Sequence, residues 1–137
     1  MLQGIDHINI AAPYELLLAT RNFYCEALGM MEGPRPAFNF RGFWLYGGDR
    51  PLIHLMECER DATDCEALAT VKPYLDHVAF NMSGADAYVA RLHRLGITCQ
   101  TNHIVDFDIF QVFTHDPCGN GVEVNFKGEV LTELLPS

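Results

Sequence analysis

Two stretches decide the fold: Ile5-Asp6-His7-Ile8-Asn9-Ile10 and Leu75-Asp76-His77-Val78-Ala79-Phe80. Each alternates side chains in the manner of a strand with one face turned to a core, and each carries Asp-His at the same place. From His7 to His77 the interval is 70 residues. Two further landmarks keep nearly the same step. A helical stretch after each copy ends in Leu28-Gly29-Met30 and in Leu95-Gly96-Ile97. Each copy then closes on a short strand with one ionisable residue in its middle: Leu52-Ile53-His54-Leu55-Met56 and Gly121-Val122-Glu123-Val124-Asn125. Such a repeat is one supersecondary module used twice.

The content of the module follows from local pattern. Glu15 to Leu28 places Leu16, Leu17, Thr20, Phe23, Tyr24, Ala27 and Leu28 at helical spacing, and Gly29 is a natural stop. Pro34 and Pro36 precede the aromatic run Phe38 to Tyr46, and Gly47-Gly48-Asp49 turns the chain into the His54 strand. In the second copy Ser83 and Asp86 resemble a capping box for a helix to Leu95. Asp116-Pro117-Cys118-Gly119-Asn120-Gly121 is a turn signal before the last strand. The expected order is βαβββ, then βαβββ. We expect one domain over 1–137: a first module over about 4–57, a linker over 58–72 that can include a short helix, a second module over about 73–127, and a tail over 128–137.

Composition agrees with a packed domain. The chain has 137 residues, 49% of them apolar and 20% charged, enough to bury a core. Nine basic against eighteen acidic residues give a net charge of −9, which repels phosphate backbones and anionic membranes and argues against nucleic acid as a partner. No apolar run reaches the roughly 18 residues of a membrane span, and Met1 to His7 lacks the features of a secretory signal. The five cysteines, Cys25, Cys58, Cys65, Cys99 and Cys118, are scattered with no C-x-x-C pair, so free thiols in a reducing, cytoplasmic setting are expected.

Strand parity assigns faces. His7 shares a face with Ile5 and Asn9, His54 with Leu52 and Met56, His77 with Leu75 and Ala79, and Glu123 with Asn125. The intervening residues are apolar and suit a helix-covered core. A lone histidine in an apolar strand is usually a hydrogen-bonded structural residue. Three imidazoles and a carboxylate at matching places of a repeated module are a costlier arrangement, because each needs a polar partner. One divalent cation satisfies all four, so His7, His54, His77 and Glu123 are the candidate metal ligands. His93, His103 and His115 lack such support and are read as surface or structural.

The residues Asp6-His7-Ile8, Asn22-Phe23-Tyr24 with Leu28-Gly29-Met30, Asp76-His77-Val78-Ala79-Phe80, and Asp116 through Glu123 resemble the vicinal oxygen chelate superfamily. That superfamily includes glyoxalase I, fosfomycin-resistance proteins, methylmalonyl-CoA epimerase and type I extradiol dioxygenases. The resemblance implies an α+β fold in which two paired βαβββ modules form a curved, partly open eight-stranded barrel around a metal. It places the family's first-strand ligand on His7, the fifth-strand ligand on His77 and the last-strand carboxylate on Glu123. The fourth position, glutamate or glutamine in several relatives, falls on His54, which is then a fourth ligand, a base beside the metal or a pocket residue.

A nitrogen-rich site with one carboxylate suits Zn, Ni, Co, Mn or Fe. The leading expectation is a lyase or isomerase acting on a small oxygen-chelating substrate by glyoxalase- or epimerase-like proton transfer, with Glu123 and His54 as the catalytic pair. One alternative is a single-domain extradiol-type dioxygenase using Fe(II), since two histidines and a carboxylate form a facial set. Another is a drug-binding or resistance protein of the same fold. Phe38, Phe40, Phe43, Trp44 and Tyr46 can wall a pocket for a flat ring, and Arg35 and Arg41 can hold an anionic part of a substrate. A homodimer is expected, with Val130 to Leu135 as an apolar contact.

Overall fold

A computed structural model describes residues 1–59 and 74–132. They fall into two compact units, Met1–Tyr74 and Leu75–Ser137. Most of the expected linker, and the end of the tail, lie outside the described residues, as does Cys65. Cys25, Cys58, Cys99 and Cys118 are half-buried. Among the described residues no helix is long and apolar enough to cross a membrane.

The first unit runs β1 (Ile8–Ala12), α1 (Tyr14–Leu28), β2 (Met31–Gly33), β3 (Gly42–Gly47) and β4 (Arg50–Glu57). Its sheet has the order β1-β4-β3-β2, with β1 parallel to β4 and the other pairs antiparallel. The second unit repeats this plan with β5 (His77–Asn81), α2 (Ala85–Arg94), β6 (Gln100–Ile104), β7 (Ile109–His115) and β8 (Gly121–Lys127), in the order β5-β8-β7-β6. A short 3-10 turn, Val105–Phe107, joins β6 to β7. Each unit is thus the expected βαβββ module. The class is α+β, with eight strands in two open four-stranded sheets among the described residues.

Parity places the cores where the alternation predicts. Phe43, Leu45, Ile53 and Leu55 are buried on one face of the first sheet, and Leu17, Thr20, Phe23, Tyr24 and Ala27 are the buried stripe of α1. Helix α1 ends at Gly29, whose φ of 74° is the left-handed conformation that glycine adopts without a Cβ penalty. In the second unit Phe110, Val112, Val122, Val124 and Phe126 are buried with Tyr88, Val89 and Leu92 of α2. Tyr88 meets Phe126 with ring centroids 5.7 Å apart.

Phe38 to Arg41 build a loop ahead of β3. Two local expectations need correction. His7 stands one residue before β1 rather than within it. The Ser83/Asp86 capping box does not form. The cap position of α2 is Gly84, which has no side chain. Glu129, 45 residues on, supplies the cap instead: its carboxylate accepts from the Gly84 N–H and, at 2.9 Å, from the Ala85 N–H. The predicted turn at Asp116 does form, with the Asp116 carboxylate accepting from the Cys118 and Asn120 N–H groups at 2.9 Å.

Candidate functional site

In the first unit, register brings three side chains to the polar face. His54 on β4 lies beside Asn9 of β1 and Trp44 of β3. His7 lays its ring on His54 with centroids 3.7 Å apart and planes 14° from parallel. Trp44 covers the opposite face of the same imidazole at 3.9 Å and 10°. His54 is therefore sandwiched, and its Nε2 is buried with no hydrogen-bond partner. Burial, reinforced by the neighbouring His7, pushes its pKa below the usual 6.5, which favours the neutral imidazole. The His7 Nδ1–H donates to the Asp6 carboxylate at 2.6 Å. That hydrogen bond holds Asp6 below its ordinary pKa and occupies Nδ1, so that Nε2 is the ring's other nitrogen.

The second unit repeats the Asp-His arrangement. His77 opens β5 opposite Gly121, and Glu123 pairs with Ala79 on the same face. A Cβ at Gly121 would stand 2.5 Å from the Asp76 carbonyl oxygen and 2.9 Å from the His77 Cβ. Only glycine lets β8 run this close to His77. The His77 Nδ1–H donates to Asp76 at 2.9 Å, and Nε2 is 2.9 Å from Glu123 Oε2. Asp76 first, and Glu123 after it, raise the His77 pKa above 6.5.

Glu123 is only 7% exposed, so its other oxygen also needs a donor. Gln111 on β7 provides one: Nε2 donates to Glu123 Oε1 at 2.8 Å and to Asn125 Oδ1 at 3.2 Å. Asn102 on β6 in turn donates to Gln111 Oε1 at 3.0 Å. The sequence pattern does not single out Gln111 or Asn102. Neutral amides in a strand carry no charge pattern, and only register reveals that Asn102, Gln111 and Asn125 form one row.

Of the four candidate ligands, His7 is thus with His54 in one unit and His77 with Glu123 in the other. Among the described residues no group of three or more His, Cys, Asp and Glu side chains is gathered as a cation site. The donor chemistry nevertheless fits a metal. Two ligands each ~2.1 Å from one first-row cation, at right angles, stand ~3 Å apart, which is the His77–Glu123 separation. A carboxylate on Nδ1 that leaves Nε2 for the metal is the usual second layer of a histidine ligand. The orphaned Nε2 of His54 is a buried polar atom that a cation would satisfy.

The remaining histidines are peripheral. His93 is exposed on α2, and His115 is exposed at the end of β7. His103 on β6 has its Nε2 3.5 Å from Asp108.

No family model and no curated protein matches the sequence. Solved structures do. A glyoxalase family protein from Bacillus anthracis is 28% identical, with a TM-score of 0.71 over 93% of this chain and 97% of that one. A mutant of the fosfomycin resistance protein FosX from Listeria monocytogenes, in complex with Mn(II) and 1S,2S-dihydroxypropylphosphonic acid, is 18% identical. Its TM-score is 0.67 over 93% of this chain and 94% of that one. Lactoylglutathione lyase from Agrobacterium tumefaciens is 18% identical, with a TM-score of 0.61 over 92% and 95% of the two chains. These neighbours are of the vicinal oxygen chelate superfamily, and the resemblance read from the sequence holds.

Proposed function

We propose that this chain is a divalent-metal-dependent lyase or isomerase that moves a proton on a small substrate with two neighbouring oxygens. His7, His77 and Glu123 are the metal-ligating groups of this reading, and His54 is its base. The observation that carries it is the His77–Glu123 pair, 2.9 Å apart, with each member held from behind by Asp76 or Gln111. A bound cation would supply Lewis-acid stabilisation of negative charge on the substrate oxygens.

The chain's own residues do the rest. Asp76 and Asp6 fix the tautomer and direction of His77 and His7, so that each presents Nε2. Gln111 holds the Glu123 carboxylate in one orientation and keeps its second oxygen satisfied within a buried setting. Glu123 and His54 are the candidates to take a proton from carbon and return it. His54 suits this role because burial keeps its ring neutral, and so able to accept, at physiological pH.

Metal analysis of protein purified without chelator tests the reading. About one divalent ion per chain is expected, lost in both His77→Ala and Glu123→Ala. Full retention of the ion in both variants would overturn it. Deuterium wash-in next to a carbonyl distinguishes proton transfer from an oxygenase, which would consume oxygen instead. A homodimer belongs to the same proposal, and sedimentation of the intact chain tests it.

A further inference from the structure

A second feature lies at the end of the first sheet, where the loop ahead of β3 crosses the start of α1. There an open cavity of about 540 Å³ is lined by Tyr14, Phe38, Phe40 and Phe43, by two arginines, Arg35 and Arg41, and by Glu57. That volume is within the range of small-molecule sites.

The two arginines are in different states. Arg41 lies 3.7 Å over the Tyr14 ring, and its fork is spent on both oxygens of Glu57. Arg35 lies 5.0 Å over Phe38 and 5.5 Å over Phe40. Its Nη2 donates to the Phe40 carbonyl at 3.2 Å, while its Nε is buried with no partner. Among the described residues no carboxylate lies within ion-pair distance of Arg35. In a chain of net charge −9, a cation left without an acid beside a cavity is a poised anion receptor. The loop that carries Arg35 is tied to β3 by Tyr46, which donates to the Pro34 carbonyl at 2.6 Å, and within the loop Phe38 stacks on Phe40 at 4.9 Å.

We propose that this cavity binds an aromatic carboxylate, with its ring among Phe38, Phe40 and Phe43 and its carboxylate paired to Arg35. The anion supplies the acceptors that Arg35 lacks, and the phenylalanines supply the apolar bed. The proposal does not depend on the metal reading, because none of the cavity residues is a candidate ligand.

Trp44, the chain's single tryptophan, lies 6.5 Å from Phe38 and reports binding by its fluorescence. The experiment titrates the full chain, in the presence of chelator, with 1-naphthoate and with its neutral amide, 1-naphthamide. Naphthoate is expected to bind about 10-fold tighter than naphthamide. Arg35→Gln should erase that preference without changing naphthamide binding, and Arg41→Gln should leave the preference in place. Arg35→Lys, which keeps the charge, should retain part of it and serves if Arg35→Gln fails to fold. Equal binding of the two probes, no binding of either, or a preference carried by Arg41 would overturn the proposal. Because chelator is present throughout, loss of the metal reading leaves this result unaffected.

Discussion

Trp44 lies flat on His54, ring centroids 3.9 Å apart and planes 10° from parallel. The contact makes the indole a reporter for the protonation of a candidate catalytic group, since an imidazolium quenches indole emission and a neutral imidazole does so weakly. The His54 pKa is lowered from 6.5 by burial and by His7. Trp44 fluorescence should therefore fall on acidification with a midpoint below 6.5, and His54→Phe should remove that transition while keeping a ring in the stack. The sign for stability follows from linkage. Below 6.5 the unfolded chain takes the proton first, so the His54 contribution is present above 6.5 and is lost as pH falls through the folded value. His77, whose pKa is raised, contributes in the opposite sense: its share is full below 6.5 and is lost as pH rises through its folded value. The difference between the stability profiles of the native chain and His54→Phe isolates the first of these. A midpoint at or above 6.5 would contradict the sandwiched, neutral His54.

Asp76 acts through His77. With the Nδ1–H held at 2.9 Å, the ring cannot turn Nε2 away from Glu123. Asp76→Ala removes the anchor and leaves both proposed ligands in the chain. Mn(II) affinity, followed by electron paramagnetic resonance of the free ion, should drop about 10- to 100-fold. Asp6→Ala should act in the same way through His7. Unchanged affinity in both would mean that the Asp-His repeat is a surface pattern with no part in metal binding.

The sequence made some of this legible and hid the rest for physical reasons. Alternation in the strands is a local property, so the buried sides of β4 and β8 and the opposite placement of His54 and Glu123 could be read directly. The repeat of Asp-His was visible for the same reason. Gln111 was not, because its meaning lies in the pairing of β7 with β8 rather than in its neighbours along the chain. The cap of α2 was misread because Ser83 and Asp86 have the right spacing, while the group that reaches the Gly84 and Ala85 N–H comes from Glu129. The Phe38–Arg41 run has strand composition, yet the prolines before it and the stacking of Arg35 on its rings make a loop of it.

Gln111 is the donor that lets Glu123 be buried. Gln111→Met keeps the length of the side chain and removes the hydrogen bond, leaving a desolvated carboxylate oxygen unpaired. The loss should be about 1–3 kcal/mol in urea unfolding at neutral pH. Gln111→Glu should be worse, since it sets a second carboxylate against the buried Glu123. A loss near zero for Gln111→Met would show that water reaches Glu123 Oε1 and that the carboxylate does not depend on the amide.

The chain after β8 fastens the start of α2 at two points. Glu129 caps Gly84 and Ala85, and Asp86 accepts from both the Thr132 N–H, at 3.0 Å, and the Thr132 hydroxyl. Both carboxylates also face the positive end of the helix dipole. Glu129→Ala leaves two N–H groups without acceptors and should cost about 1 kcal/mol, seen as a lower melting temperature. The Thr132 hydrogen bonds hold Asp86 below its ordinary pKa of 3.8. Its contribution is therefore present above 3.8 and disappears as pH falls through the lower folded value. Thr132→Val removes the hydroxyl donor, so the acid arm of its stability profile should be shallower than that of the native chain. Parallel acid arms would mean that Asp86 stabilises α2 through the helix dipole and that the Thr132 hydroxyl adds nothing.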